Sequence, residues 1–270
     1  MLKDITLGQY FPGDSVIHRL DPRMKIIISI IYITAIFSTS SLYTLSGVFL
    51  FNILLILLSG IPFKIVIKAL KPLIFIIAFT GVMNIFMAGG ETLLFELGFI
   101  RVHLDGVLFA LFMVLRIVSL VSATSILISF TTSPTVLTDA IERLFSPFKK
   151  IKMPVHEFAM LMTIALRFIP TLMEETEKII NAQKARGADF YSGNIFKRAK
   201  ALVPILIPLL VSAFRRADEL ATAMECRCYK GGEGRTKMKQ LRYCARDFAA
   251  FALSAVLVAG VFIVQGLILR

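Results

Sequence analysis

Apolar and polar positions fall along the chain in blocks. Residues 26–42 form a first apolar run, held between Asp21-Pro22-Arg23-Met24-Lys25 and the cluster Ser38-Thr39-Ser40-Ser41, and residues 44–60 form a second that closes at Gly60-Ile61-Pro62. So few residues separate the two that they predict a tight antiparallel pair of helices, each near the lower limit of the ~17–25 residues needed to cross a bilayer. Pro72 opens a third run reaching Met87, a fourth extends from Gly106 to Phe130, and a last covers residues 247–269. Before the third run, Lys64, Lys68 and Lys71 recur at helical spacing, which suits a short helix lying at the membrane surface with one basic face. Residues 92–105 alternate loosely around Gly98 and predict a small outer hairpin, with Glu91 and Glu96 on its solvated rim.

The pattern changes between Thr131 and Arg246. Ser133-Pro134 opens a short helix ending near Phe145, and a long helix follows over 155–186. Phe158, Met162, Ala165, Ile169, Met173, Thr176, Ile179 and Ile180 draw one apolar stripe along it, and Pro170 is expected to bend it. A second long segment carries the apolar run 201–214, too short to cross a bilayer and too greasy for water, and continues to Arg227. The fold expected is all-α: a multi-pass membrane protein with about five transmembrane helices plus long amphipathic cytosolic helices. The regions are 1–130 with four spans, 131–246 with the cytosolic helices, and 247–270 with the last span.

Composition supports this reading. Of 270 residues 57% are hydrophobic, too many for a water-soluble chain of this size. The net charge of +12 does not point to nucleic acid, because the basic residues track the membrane and no exposed domain carries base-stacking aromatics. With the N-terminus in the cytosol, the inner segments hold 4, 3 and 20 basic residues, while the outer ones hold only Arg101 and Arg270. The positive-inside rule then places residues 131–246 in the cytosol and the C-terminus outside.

Candidate chemistry is sparse. Cys226, Cys228 and Cys244 fall in the cytosolic region, where disulfides are rare, and Cys-X-Cys without a nearby histidine makes a poor metal site, so no metal is expected. His18, His103 and His156 lie on different segments without ligand spacing. Gly231-Gly232-Glu233-Gly234-Arg235-Thr236 lacks the ending and spacing of a phosphate loop, so the chain is not expected to hydrolyse nucleotide itself. Asn84 is expected to bond a neighbouring helix. Arg116, inside the fourth run, is expected to meet polar neighbours such as Ser119, Ser122 or Asn84, with a role in a secondary transporter or channel as the alternative.

The most informative pattern is a repeat. Arg186 and Arg227, 41 residues apart, each end a long helical stretch. Each follows an acid by nine residues (Glu177, Asp218), an apolar residue by seven (Ile179, Leu220) and an alanine by four (Ala182, Ala223). Small residues flank both: Ala185 and Gly187, Cys226 and Cys228. A basic residue near a helix end followed by glycine is also an ordinary stop signal. The repetition points further, to two slim tips able to enter grooves on other proteins and present a guanidinium fork to a carboxylate.

These stretches, Leu166-Arg167-Phe168-Ile169-Pro170-Thr171-Leu172 with Ala182-Gln183-Lys184-Ala185-Arg186-Gly187, then Arg215-Arg216-Ala217-Asp218-Glu219 leading to Ala223-Met224-Glu225-Cys226-Arg227-Cys228, closely resemble the transmembrane T component of energy-coupling factor transporters. These are bacterial importers of vitamins and metal ions in the plasma membrane. The resemblance implies two coupling helices crossing in the cytosol and two ABC-type ATPase subunits that bind ATP and magnesium, leaving this chain without a cofactor. It also implies an integral-membrane substrate-binding subunit. The carry-over places ATPase docking on Arg186 with Ala185 and Gly187, and on Arg227 with Cys226 and Cys228; alanine or glycine is the family's usual neighbour at the second arginine, and cysteine is still small. Phe158, Met160, Met162, Ile169 and Met173 are the expected surface for the substrate-binding subunit, because methionine repacks readily against several partners.

Overall fold

The computed structural model describes residues 10–87, 93–97, 100–151, 154–188, 190, 194–232 and 240–268. The described residues form nine α-helices and one hairpin. They group into two compact units, one of residues 10–140 with 240–268 and one of residues 141–232.

In the first unit, α1 (Pro22–Ser38) is the central helix. Its start differs from the expectation: Asp21 is the N-cap and Pro22 the first helical residue, so the polar cluster is the opening turn and not a boundary outside the helix. That turn buries charge because every charge has a partner. The Asp21 carboxylate accepts from the backbone N–H, Nε and Nη2 of Arg23 at 2.9, 3.0 and 2.8 Å. The Arg23 guanidinium lies 3.8 Å from the centre of the Tyr243 ring. Asp247, at the start of α9 (Ala245–Ile268), accepts from the backbone N–H groups of Asp21 at 2.8 Å and Cys244 at 2.7 Å. One carboxylate thus joins the N-terminal ends of two helices, where their dipoles favour negative charge.

Lys25 completes the arrangement. Its Nζ is buried and donates to Thr131 O at 2.9 Å and to Thr131 Oγ1 and Thr132 Oγ1 at 3.1 Å, with His18 O at 3.4 Å. The threonines follow α5 (Leu104–Thr124) and a π-helical segment, Ser125–Phe130, that continues it. A cation therefore sits on the carbonyl end of a helix whose last turn is underwound into wider, i→i+5 hydrogen bonds.

At the other end of α1, Arg116 donates from Nη2 to the carbonyl of Thr39, the C-cap residue, and lies 4.4 Å from the centre of its neighbour Phe112. The bond is structural, but its partner is a helix-end carbonyl and not Ser119, Ser122 or Asn84. Ser119 and Ser122 instead receive Asn52 of α2 (Leu42–Ser59), whose amide donates to Ser119 O at 2.7 Å and Ser122 Oγ at 2.8 Å. Asn84 donates to Thr80 O one turn back on its own helix at 2.7 Å, so Asn52 makes the cross-helix bond expected of Asn84. Apolar packing among Ile28, Tyr32, Ile36, Val48, Ile126 and Phe130 fills the space between these polar ties.

α3 (Phe63–Leu70) passes through a single 3₁₀ turn, Lys71–Leu73, into α4 (Ile74–Met87). β1 (Leu93–Leu97) and β2 (Ile100–His103) pair antiparallel as expected, while Glu91 and Gly98 lie outside the described residues. By length and composition five helical stretches can cross a membrane: Leu42–Ser59, Phe63–Phe86, Leu104–Phe130, Val155–Ala185 and Ala245–Gly266. The number agrees with the sequence expectation, which counted residues 26–42 where this set has Val155–Ala185. α1 has only 17 residues and spends its first turn on Arg23 and Lys25, whereas the helix Val155–Ala185 is apolar through its first half.

In the second unit, α7 (Val155–Ala185) runs unbroken through Pro170, and α8 (Ile195–Cys226) through Pro204 and Pro208. α6 (Pro134–Leu144) precedes them. His156 at the start of α7 bonds Glu142 through Nδ1 at 3.0 Å. A side chain at Gly232 would meet the His156 ring at 2.4 Å, so this glycine is required for close approach.

Replacing Lys25 with methionine is expected to lower the stability of the purified chain by about 2 kcal/mol, because the Thr131 carbonyl and both hydroxyls lose their donor without access to water. Thermal unfolding in detergent measures it, with exposed Lys64→Met expected to change little.

Candidate functional site

The sites at Arg186 and Arg227 are built by the way α7 and α8 stop. The last carbonyls of a helix have no partner within it, and a residue in the left-handed region just past the end can fold the following N–H groups back onto them. At the end of α7 Gly187 holds φ 84°, its N–H bonds Lys184 O at 2.9 Å, and the N–H of Ala188 bonds Gln183 O at 3.0 Å. At the end of α8 Cys228 holds φ 53°, its N–H bonds Glu225 O at 2.8 Å, and the N–H of Tyr229 bonds Met224 O at 3.0 Å. Both are Schellman closures with the same spacing. Each places its arginine at the C-cap, exposed, against the negative end of a helix dipole.

The flanking residues Ala185, Gly187, Cys226 and Cys228 are also exposed. Gly187 is there for its backbone angle, because a side chain at that position would meet nothing within 4 Å. Cys228 is the one non-glycine residue with positive φ among the described residues, so the second tip adopts a conformation its side chain disfavours.

A contact that the sequence reading did not single out ties the two helices. Glu175 of α7 accepts from the Ser212 hydroxyl of α8 and from Arg216 Nη2 at 3.1 Å. Glu175 and Arg216 are themselves 41 residues apart, the same interval that relates Arg186 to Arg227. The helices therefore meet at equivalent positions, and each tip lies eleven residues beyond the tie, about 16 Å along its helix. Placing the two arginine stretches in register would have set the acid above the base, and that is the signal that was there to find.

On α7, Phe158 and Met162 are well exposed, and Ile169 and Met173 continue the same stripe half-buried. Met160 is half-buried and points to the other side of the helix, two residues out of phase with Phe158 and Met162. α8 adds exposed Leu206, Leu210 and Phe214, an apolar surface larger than a water-facing helix normally shows. The histidines are not brought together: His18 bonds Ser15 and Phe11 O, His103 ends β2, and His156 pairs with Glu142.

A family model described as CbiQ, cobalt transport protein, matches residues 13–238. The chain is 55% identical over 259 residues to the energy-coupling factor transporter transmembrane protein EcfT of Clostridium kluyveri, covering 96% of each chain. To the protein of that name in Bacillus subtilis it is 45% identical over 265 residues, covering 98% of this chain and 100% of the other. The chain belongs to the CbiQ/EcfT family. The repeated arginine tips and the tie between α7 and α8 are therefore features of a CbiQ/EcfT-type membrane component of a transporter.

Relieving the second tip gives a direct check on its geometry. Cys228→Gly is expected to slow hydrogen exchange at the amides of residues 228 and 229 about fivefold, the equivalent of ~1 kcal/mol of backbone strain. Gly187→Ala should speed exchange at residues 187 and 188 by a similar factor.

Proposed function

We propose that this chain is the energy-coupling scaffold of an importer in the bacterial plasma membrane, with its N-terminus and the tips of α7 and α8 in the cytosol and its C-terminus outside. Two ABC-type ATPase subunits bind and hydrolyse magnesium-ATP. Arg186 docks in one and Arg227 in the other, and a membrane-embedded substrate-binding subunit rests on the apolar surface of Phe158, Met162, Ile169 and Met173. The imported substrate is a vitamin or a metal ion, recognised by that other subunit.

The observation that carries this reading is the matched pair of exposed, arginine-capped helix ends related through the Glu175–Arg216 tie. Two similar motors acting as a pair require two similar handles. A guanidinium in a groove offers a bidentate grip on a carboxylate, and the small neighbours let the helix end enter. When the ATPases close on ATP the tips are carried with them. A tie eleven residues back from each tip makes the pair a pivot, so that motion at the tips tilts the apolar halves of α7 and α8 and turns the substrate-binding subunit resting there.

Arg186→Glu and Arg227→Glu are each expected to abolish co-purification of the ATPases and nutrient uptake in a reconstituted complex, because a docked charge loses its partner at a cost of about 2–5 kcal/mol. Normal uptake by either variant overturns the reading. Glu175→Gln has a different expected outcome: ATPase subunits stay bound and hydrolyse ATP, while uptake per ATP falls severalfold because the pivot is loosened.

A further inference from the structure

The lysines of α3 are left over by this account, and their surroundings define a surface. Lys64, Lys68 and Lys71 fall within about 60° of one another around the helix and span about 10 Å along it. All three are exposed, and none has an ion pair or hydrogen bond among the described residues. The opposite side is fixed: Val66 is buried and, with Ile61, packs in the cluster of Ala123, Ile126 and Leu127. α3 packs against α5 and its π-helical continuation, whose charged residues are Asp105 and Arg116. Asp105 lies 18 residues, about 27 Å, from Ala123 along the helix, so no acid on these elements neutralises the lysines.

The depth of this face follows from length. Phe63–Phe86 is a continuous helical stretch of 24 residues, about 36 Å, against a hydrocarbon core of ~30 Å. Its excess falls on the lysine-bearing end, while exposed Ile74, Phe75 and Phe79 begin the lipid-facing part. Exposed Phe63 and Ile67 flank the lysines as an interfacial helix requires.

We infer that this face of α3 binds the phosphate headgroups of anionic phospholipids, using three uncompensated ammonium groups at headgroup level. Charge complementarity selects the occupant. A zwitterionic headgroup brings its own cation to a site that already holds three, whereas each lysine adds roughly fivefold to retention of an anionic lipid.

The test uses the full chain purified in detergent with an equimolar mixture of phosphatidylglycerol and phosphatidylcholine, reading retained lipids by native mass spectrometry. Wild type is expected to retain phosphatidylglycerol preferentially. The Lys64→Gln, Lys68→Gln, Lys71→Gln triple variant should lose that preference roughly tenfold or more while keeping phosphatidylcholine binding. The corresponding triple arginine variant should keep the preference, which separates loss of charge from loss of fold. Lys197→Gln with Lys200→Gln, exposed on α8, should leave it unchanged. An unaltered preference in the glutamine triple, an equal loss in the α8 variant, or displacement of the lipid by millimolar inorganic phosphate overturns the inference.

Discussion

The contact between Glu175 and the Ser212–Arg216 pair is where two separately written helices become one device. Its strength as an ion pair is modest, since both partners are partly exposed and water screens them. Its position matters more than its energy. A bond between equivalent positions of a repeat lies where an approximate two-fold axis would pass, and whatever lies eleven residues further along one helix has a counterpart eleven residues along the other. Matched arginine tips follow from that placement together with two identical ways of ending a helix.

The first unit shows how polar groups without water are accommodated in the interior. α1 carries Arg23 and Lys25 buried in its first turn, yet every one of these charges reaches a carboxylate, a carbonyl or a hydroxyl. Its far end gives the Thr39 carbonyl to Arg116. Each tie also crosses elements distant in sequence: Asp21 with Asp247, Lys25 with Thr131, Asn52 with Ser119. Lipid-like interiors give apolar helices little reason to prefer one neighbour over another, so these few polar bonds fix which helices adjoin and in what register.

What the sequence disclosed tracks what is local. Apolar runs, the Gly60 limit of α2 and the alternation around the hairpin depend on residues close in the chain, and these elements formed within a few residues of where they were read. The arginine tips were readable for the same reason, because a helix stop is written within about six residues. Partner choice was not. Arg116 was placed against Ser119, Ser122 or Asn84, none more than 32 residues away in sequence, whereas the carbonyl it reaches sits 77 residues away at the end of α1. The π-helical segment after α5 left no composition mark, since Ser125–Phe130 reads like any apolar turn. Met160 was grouped with Phe158 and Met162 by residue type, and the helical period turns it to the other side.

The two tips are alike in hydrogen bonding and unlike in how comfortably they hold it. Glycine occupies the left-handed position after Arg186 without strain, while cysteine occupies the one after Arg227 against a preference of about 1 kcal/mol. Strain of this size persists only where something else determines the conformation, and at the second tip the closures at Met224 and Glu225 do so within the chain. The second end is then the more strained of the two, the same closure held with less margin.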